Sequence, residues 1–331
     1  MIKVVFILMM MLSSRASITQ EIEYRIYDIR DMIHTSSHIQ ASVSPDGDWI
    51  AWYQIDKGIC LLEQSTQIQS CYEWPDEEVL FIREHPRHNE TSLIWSPDSQ
   101  KLIFSRNVTR GIAWDTDIWM FEIITHEFNN LTPDGFVGIA AAPDGLDALM
   151  DILPVWRSSD HILFARLDPI NPYLPETNPY RDGWWRNLRI MQIDLNTMNI
   201  EILLDLSDRF ADLITMLSVS PDGKKVGLSL YEEQLEETIG IWIYDMDSRQ
   251  LQQILTYADI QSLLMDNAPL TQPVSMLWTQ EGNIILSVAK LKSTLAIDHY
   301  INLYFDVENQ SLSLISGDLE VFASAYDDDG D

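Results

Sequence analysis

Positive charge is scarce in this chain of 331 residues: 21 Lys and Arg stand against 51 Asp and Glu, for a formal net charge of −30 and an isoelectric point near 4.3. Phosphate recognition needs clustered cations whose binding releases condensed counterions, so nucleic acid is excluded as a partner class. Cysteine is scarce as well, with two in the whole chain. Long apolar runs are missing. The unbroken stretch Val4 to Leu12 has nine residues, where a helix needs about 20 to cross a bilayer. The motifs of common catalytic machinery are missing too. No Gly-x-Ser-x-Gly elbow is present to expose a serine nucleophile, and there is no His-Glu-x-x-His, Walker loop or dinucleotide fingerprint. Glu84-His85-Pro86-Arg87-His88 holds two histidines on a Pro-interrupted loop, short of the ligand count that zinc requires.

What is there suffices for a core. At 46% hydrophobic residues the chain is globular rather than disordered, and its length suits one large all-β domain or two ordinary ones. The start reads as a secretory signal over residues 1–16. Lys3 precedes the apolar run, and Ser14-Arg15-Ala16 supplies small residues two apart before Ser17. No cysteine follows the run, so a lipid anchor is not indicated. The expectation is an exported, extracytoplasmic chain, periplasmic, secreted or at the cell surface, without a stable membrane span after processing, and monomeric.

One phrase recurs: an apolar strand, a Ser-Pro-Asp-Gly turn, a second apolar strand. Its copies are Ser44-Pro45-Asp46-Gly47 before Trp49-Ile50-Ala51-Trp52, Ser96-Pro97-Asp98-Ser99 before Leu102-Ile103-Phe104, and Ser220-Pro221-Asp222-Gly223 before Val226-Gly227-Leu228. Weaker copies are Trp156-Arg157-Ser158-Ser159-Asp160 before Ile162-Leu163-Phe164 and Trp278-Thr279-Gln280-Glu281-Gly282 before Ile284-Ile285-Leu286. With Ser44, Ser96, Arg157, Ser220 and Thr279 as equivalents, the copies are 52, 61, 63 and 59 residues apart. Each continues into a third apolar strand ending acidic, such as Ile118-Trp119-Met120-Phe121-Glu122 or Ile241-Trp242-Ile243-Tyr244-Asp245, and after a polar turn into a fourth. Pro pre-sets the first turn dihedral, Asp accepts local N–H groups, and Gly takes the left-handed position. Four antiparallel strands per repeat make the blade of a β-propeller. The expected fold is therefore all-β, a single propeller domain over residues 21–331 with five clear repeats.

These turns and the strands after them resemble the WD-like propeller repeats of the TolB type over residues 38 to about 326. That resemblance implies six blades. Val321 to Ala325 reads as the inner strand of a sixth, Tyr24 to Ile29 as an outer strand for it, and the alternative is a five-bladed ring with accessory strands. It also implies a periplasmic or cell-surface setting with protein partners.

The cysteines sit in the third and fourth strands of the first repeat. A turn centred on Ser65-Thr66 pairs residue 63 with 68 and onward, which sets Cys60 opposite Cys71 across a hairpin, close enough for a disulfide.

In an up-and-down blade, the first-to-second and third-to-fourth turns share one rim, and the remaining connections share the other. The second rim takes the long segments: 74–90, 107–116, 132–153, 167–186, 205–214, 231–238, 257–271 and 290–299. Long loops on a rigid scaffold are where function gathers. Within 167–186, four prolines accompany Tyr173, Tyr180, Arg181, Trp184, Trp185 and Arg186, with Trp114 on a neighbouring connection. Rigid aromatics and arginines are the side chains that anchor interfaces. Residues 258–265 carry a helical stripe of Ile260, Leu263 and Leu264, expected to cover the rim.

Acidic residues collect on the same side, among them Glu77, Glu78, Asp115, Asp117, Asp168, Asp182, Glu232, Glu233, Glu236 and Glu237. They read as a solvated surface, and no spacing resembles a calcium loop, so Ca²⁺ is the one cofactor left open and none is assigned. The functional expectation is a non-enzymatic scaffold binding a protein or ligand at the long-loop rim and channel mouth, with a basic partner surface favoured by the charge. The rival is a hydrolase or lyase acting on a sugar or lactone through channel-mouth carboxylates.

Overall fold

The computed structural model describes residues 41–54, 57–73, 93–107, 116–133, 149–169, 185–207, 213–231, 240–263, 270–293 and 296–315, all within the compact unit Ile39–Asp331. The expected signal, the strand at 24–29 and the strand at 321–325 lie outside the described residues. Among the described residues, five four-stranded antiparallel blades follow one another in chain order. Blade 1 is β1 (Ala41–Val43), β2 (Trp49–Gln54), β3 (Gly58–Glu63) and β4 (Ile68–Tyr72). Blade 2 is β5 (Ile94–Trp95), β6 (Lys101–Asn107), β7 (Thr116–Glu122) and β8 (Phe128–Asn130). Blade 3 is β9 (Met150–Trp156), β10 (His161–Pro169), β11 (Trp185–Asp194) and β12 (Asn199–Asp205). Blade 4 is β13 (Leu213–Val219), β14 (Lys225–Tyr231), β15 (Gly240–Asp245) and β16 (Gln250–Thr256). Blade 5 is β17 (Leu270–Trp278), β18 (Ile284–Ser293), β19 (Ala296–Asp306) and β20 (Ser311–Leu314).

Within every blade each strand pairs with the one before it, and the inner strands β1, β5, β9, β13 and β17 lie side by side in succession. The core is consequently divided among the seams between blades. Ile59 and Leu61 meet Leu102, Phe104 and Phe121 between blades 1 and 2. Ile103, Ile118 and Met120 meet Ile162 and Phe164 between blades 2 and 3. Leu163 and Ala165 meet Val226 and Leu228 in the third seam, and Ile241 and Ile243 meet Ile284 and Leu286 in the fourth. Middle strands are thus covered on both faces, which is why the third strand of each repeat reads as a continuous apolar run rather than an alternating one.

The turns explain the recurrent phrase. In blades 1, 2 and 4 the buried Ser44, Ser96 and Ser220 hydroxyls donate to Asp46, Asp98 and Asp222 at 2.5–2.6 Å and accept the N–H five residues on at 2.9 Å. Gly47 and Gly223 take φ of 79° and 69° at the closing position, and Ser99 holds 60° there without being glycine. Blade 3 departs by one residue. Arg157 keeps the strand register, but the hydroxyl-to-carboxylate bond is made by Ser158 to Asp160 at 2.6 Å. The acid closing each third strand caps the next turn: Glu63 accepts from Thr66, Glu122 from Thr125, Asp194 from the Asn196 N–H, Asp245 from Ser248 and Asp306 from Asn309.

Indole donors tie successive blades. Trp95 Nε1 donates to Ser42 O at 3.1 Å, Trp156 Nε1 to Ile94 O at 3.1 Å and Trp278 Nε1 to Ser218 Oγ at 3.0 Å. Each crosses from the last turn of an inner strand to the inner strand before it. Val219 occupies that position in blade 4, and there Arg157 Nε donates instead to Gly223 O at 3.2 Å. Blades 2 and 3 are joined further. Thr116 N donates to Leu149 O at 3.2 Å, a parallel pairing of β7 with β9 that makes the two blades one eight-stranded sheet.

The expected helix is α1 (Tyr257–Leu263). Thr256 and Asp259 close its first turn reciprocally, the Thr256 N–H and hydroxyl donating to Asp259 and the Asp259 N–H to Thr256 Oγ1. It packs against the outer strands β16 and β20 with Ile260 buried, so it fills the groove between blades 4 and 5 at their outer edge.

Candidate functional site at the long-loop rim

The predicted disulfide is formed. Glu63 pairs with Ile68, Leu62 with Gln69, Leu61 with Ser70 and Cys60 with Cys71, and the sulfurs are bonded at 2.01 Å with Cα atoms 4.0 Å apart. The close Cα approach belongs to a non-hydrogen-bonded pair. The bridge fixes β4, whose next residue, Tyr72, reaches blade 2. Its hydroxyl lies 2.9 Å from His126 Nε2, the rings stack at 4.3 Å, and Phe121 lies 5.2 Å away.

At the rim itself, two expected loops contract. Segment 290–299 was expected to be long, yet Leu291 pairs with Ile297 and Ser293 with Ala296, so β18 and β19 meet in a tight hairpin. Trp185 and Arg186, placed in a loop by the sequence, belong to β11 and pair with Pro169 and Asp168. A bulge between Arg166 and Asp168 absorbs the irregularity and lets pairing continue. The aromatic segment thus narrows to 170–184, with both ends leaving from one strand pair. Tyr173, Tyr180, Arg181, Trp184 and Trp114 lie outside the described residues, as do all the acidic candidates except Asp117 and Asp168.

Sequence reasoning missed a polar layer just beneath this rim. Arg166 Nε and Nη2 donate to Asp151 Oδ1 and Oδ2, both at 2.7 Å, with Asp151 fully buried. Across blade 3, Arg166 pairs in register with Asp151 and with Arg189, and Arg189 with Asp205. In blade 2, Arg106 is 2% exposed, lies 4.7 Å from the Trp119 ring centroid and pairs in register with Asp117. Asp117 in turn accepts from Asn130 Nδ2 at 2.7 Å. A signal existed: Leu102-Ile103-Phe104-Ser105-Arg106 and Ile162-Leu163-Phe164-Ala165-Arg166 run alike through the second strand of adjacent repeats. The bidentate Arg166–Asp151 pair holds β9 and β10 rigidly close to where the loops depart.

On the opposite rim Ser158, Asp160 and His161 come together, but not as a hydrolytic relay. Asp160 Oδ1 and Ser158 Oγ meet the same ring nitrogen, His161 Nδ1, at 2.8 and 3.2 Å. A relay places serine and carboxylate on opposite nitrogens. The Ser158 hydroxyl and His161 hold the Asp160 carboxyl down to about 2. Among the described residues, no group of three or more His, Cys, Asp or Glu gathers as a metal site, and no helix is long and apolar enough to cross a membrane.

Consecutive four-stranded blades, inner strands side by side and seams of shared core define a β-propeller, built on repeats that resemble the TolB type. No protein-family model and no curated protein matches the chain. Solved structures agree on the fold. It is similar to an oligogalacturonate lyase in complex with manganese, at 14% identity and a TM-score of 0.51 over 84% of this chain and 64% of that one. It is also similar to the oligogalacturonate lyase of Vibrio parahaemolyticus, at 13% and 0.52 over 84% and 64%. TolB from Acinetobacter baumannii matches at 13% and 0.47 over 82% and 52%. The chain therefore spans less than two thirds of the length of the lyases it matches.

Proposed function

We propose that the protein is an exported binding scaffold that engages a protein partner through its long-loop rim, centred on segment 170–184. The observation that carries this reading is the anchoring of that segment. β10 and β11 remain paired to Pro169 and Trp185, and the ion pair of Arg166 with the buried Asp151 lies next to the bulge near their ends. A proline- and aromatic-rich loop closed by a rigid hairpin presents large contact area at low entropic cost. The opposite rim is built differently, its short turns using their polar side chains internally. The disulfide supports an oxidising, extracytoplasmic setting. The net charge favours a partner with a basic face.

The test is capture of partners by the folded domain and by a Tyr180→Ala, Trp184→Ala, Trp185→Ala triple variant of matched thermal midpoint. Partners held by the first and lost by the second support the rim reading. Identical capture by both overturns it, and turnover of an acidic sugar by the purified protein would replace it with the lyase reading.

A further inference from the structure

We propose that the long-loop end of the seam between blades 2 and 3 is an internal hydration site, where an ordered water links the hydroxyls of Ser105 and Thr116 to the Asp151–Arg166 ion pair. Ser105 is 7% exposed and Thr116 1%, and neither hydroxyl finds a hydrogen-bond partner among the described residues. Ser105 lies two residues before the end of β6 and Thr116 begins β7 at the same rim, and β9 of blade 3 runs against both strands. Thr116 is bonded through its N–H to Leu149 O and pairs with Met150, one residue from Asp151. Polar groups of both blades therefore converge on one buried corner.

The chemistry selects the occupant. Asp151 and Arg166 already engage one another through two 2.7 Å bonds, and bringing a further ion into a buried corner carries a heavy desolvation cost. Each hydroxyl can donate and accept, and a carboxylate oxygen can accept more than one hydrogen bond. A neutral molecule with two donors and two acceptors satisfies the set. Buried waters make about three such bonds. The site is independent of the partner-binding reading, since it requires only that the seam be closed.

Two measurements test it. A crystal structure resolving ordered solvent should show a water within about 2.7–3.2 Å of Ser105 Oγ and Thr116 Oγ1 and of an Asp151 or Arg166 polar atom. A dry corner, hydroxyls bonded directly to protein groups, or a water touching one hydroxyl alone overturns the proposal. Separately, Ser105→Ala and Thr116→Val should each lower the thermal midpoint by about 2 °C, because each removes a ligand of a bound water. Unchanged or raised midpoints overturn it, since deleting an orphaned buried hydroxyl is neutral or stabilising.

Discussion

Asp222 accepts the Ser220 hydroxyl at 2.6 Å and the Lys224 N–H at 3.1 Å, and these bonds hold its carboxyl below the ordinary range. At Asp46 and Asp98, desolvation pushes upward, but the summed hydroxyl and N–H bonds outweigh it and both are lowered. Asp194, Asp245 and Asp306 are lowered first by the N–H groups of the turns they cap. A carboxyl that binds its proton more weakly when folded contributes stability that is fully present above the unfolded value, about 3.9, and lost as pH falls through the folded one. Thermal midpoints should therefore decline below about pH 4 and continue down toward the Asp160 value of about 2. Asp222→Asn should flatten part of that decline in a series of melts. A second residue-scale pattern concerns backbone. Gln67, His126, Met198, Arg249 and Gln310 close the five third-to-fourth turns with φ between 50° and 60°. Met198 is half exposed, so Met198→Gly should be neutral or stabilise by up to about 1 kcal/mol, whereas Met198→Val should destabilise by about 1–2 kcal/mol. Equal denaturation midpoints for the two would contradict the assignment.

At the scale of elements, the indole donors make the seams unequal. Trp156→Phe keeps most of the packing but leaves Ile94 O without its donor. It should cost about 1–3 kcal/mol by chemical denaturation. A similar outcome is expected for Trp95→Phe at Ser42 O. Reducing the disulfide should cost about 3 kcal/mol for a loop of this length. It should also speed amide exchange along β4 and weaken the Tyr72–His126 contact, because that strand carries both. Much of this level was legible in the sequence. The Ser-x-Asp turns and the Cys60–Cys71 register depend on spacings of a few residues, and local chemistry determines them. The seam contacts were not legible, because Trp156 to Ile94 and Arg157 to Gly223 join residues more than 60 apart. A half-buried Arg166 inside a strand, paired to a buried carboxylate, looks in sequence like any solvated charge. The pairing of Leu291 with Ile297 and Ser293 with Ala296 departs from the long connection expected over 290–299, because strands readily continue through lysines such as Lys290 and Lys292 at a sheet margin.

For the whole molecule, the charge of −30 divides into carboxylates that turns employ and carboxylates that repel one another. The second set predicts a salt response. Raising ionic strength from about 0.01 to 0.15 M contracts the screening length from about 30 to 8 Å. The thermal midpoint should rise over that interval, and an unchanged midpoint would show that the repulsion is already relieved locally. Propellers are linear arrays bent into rings, with stability approximated by a term for each repeat and a coupling between neighbours. The bond from Thr116 N to Leu149 O gives one of those couplings a different character from the rest, because sheet continuity is added to side-chain contact there. Unfolding should then divide the array unevenly, with single blades peeling from a two-blade block that persists as the longest-lived intermediate, rather than as interchangeable units.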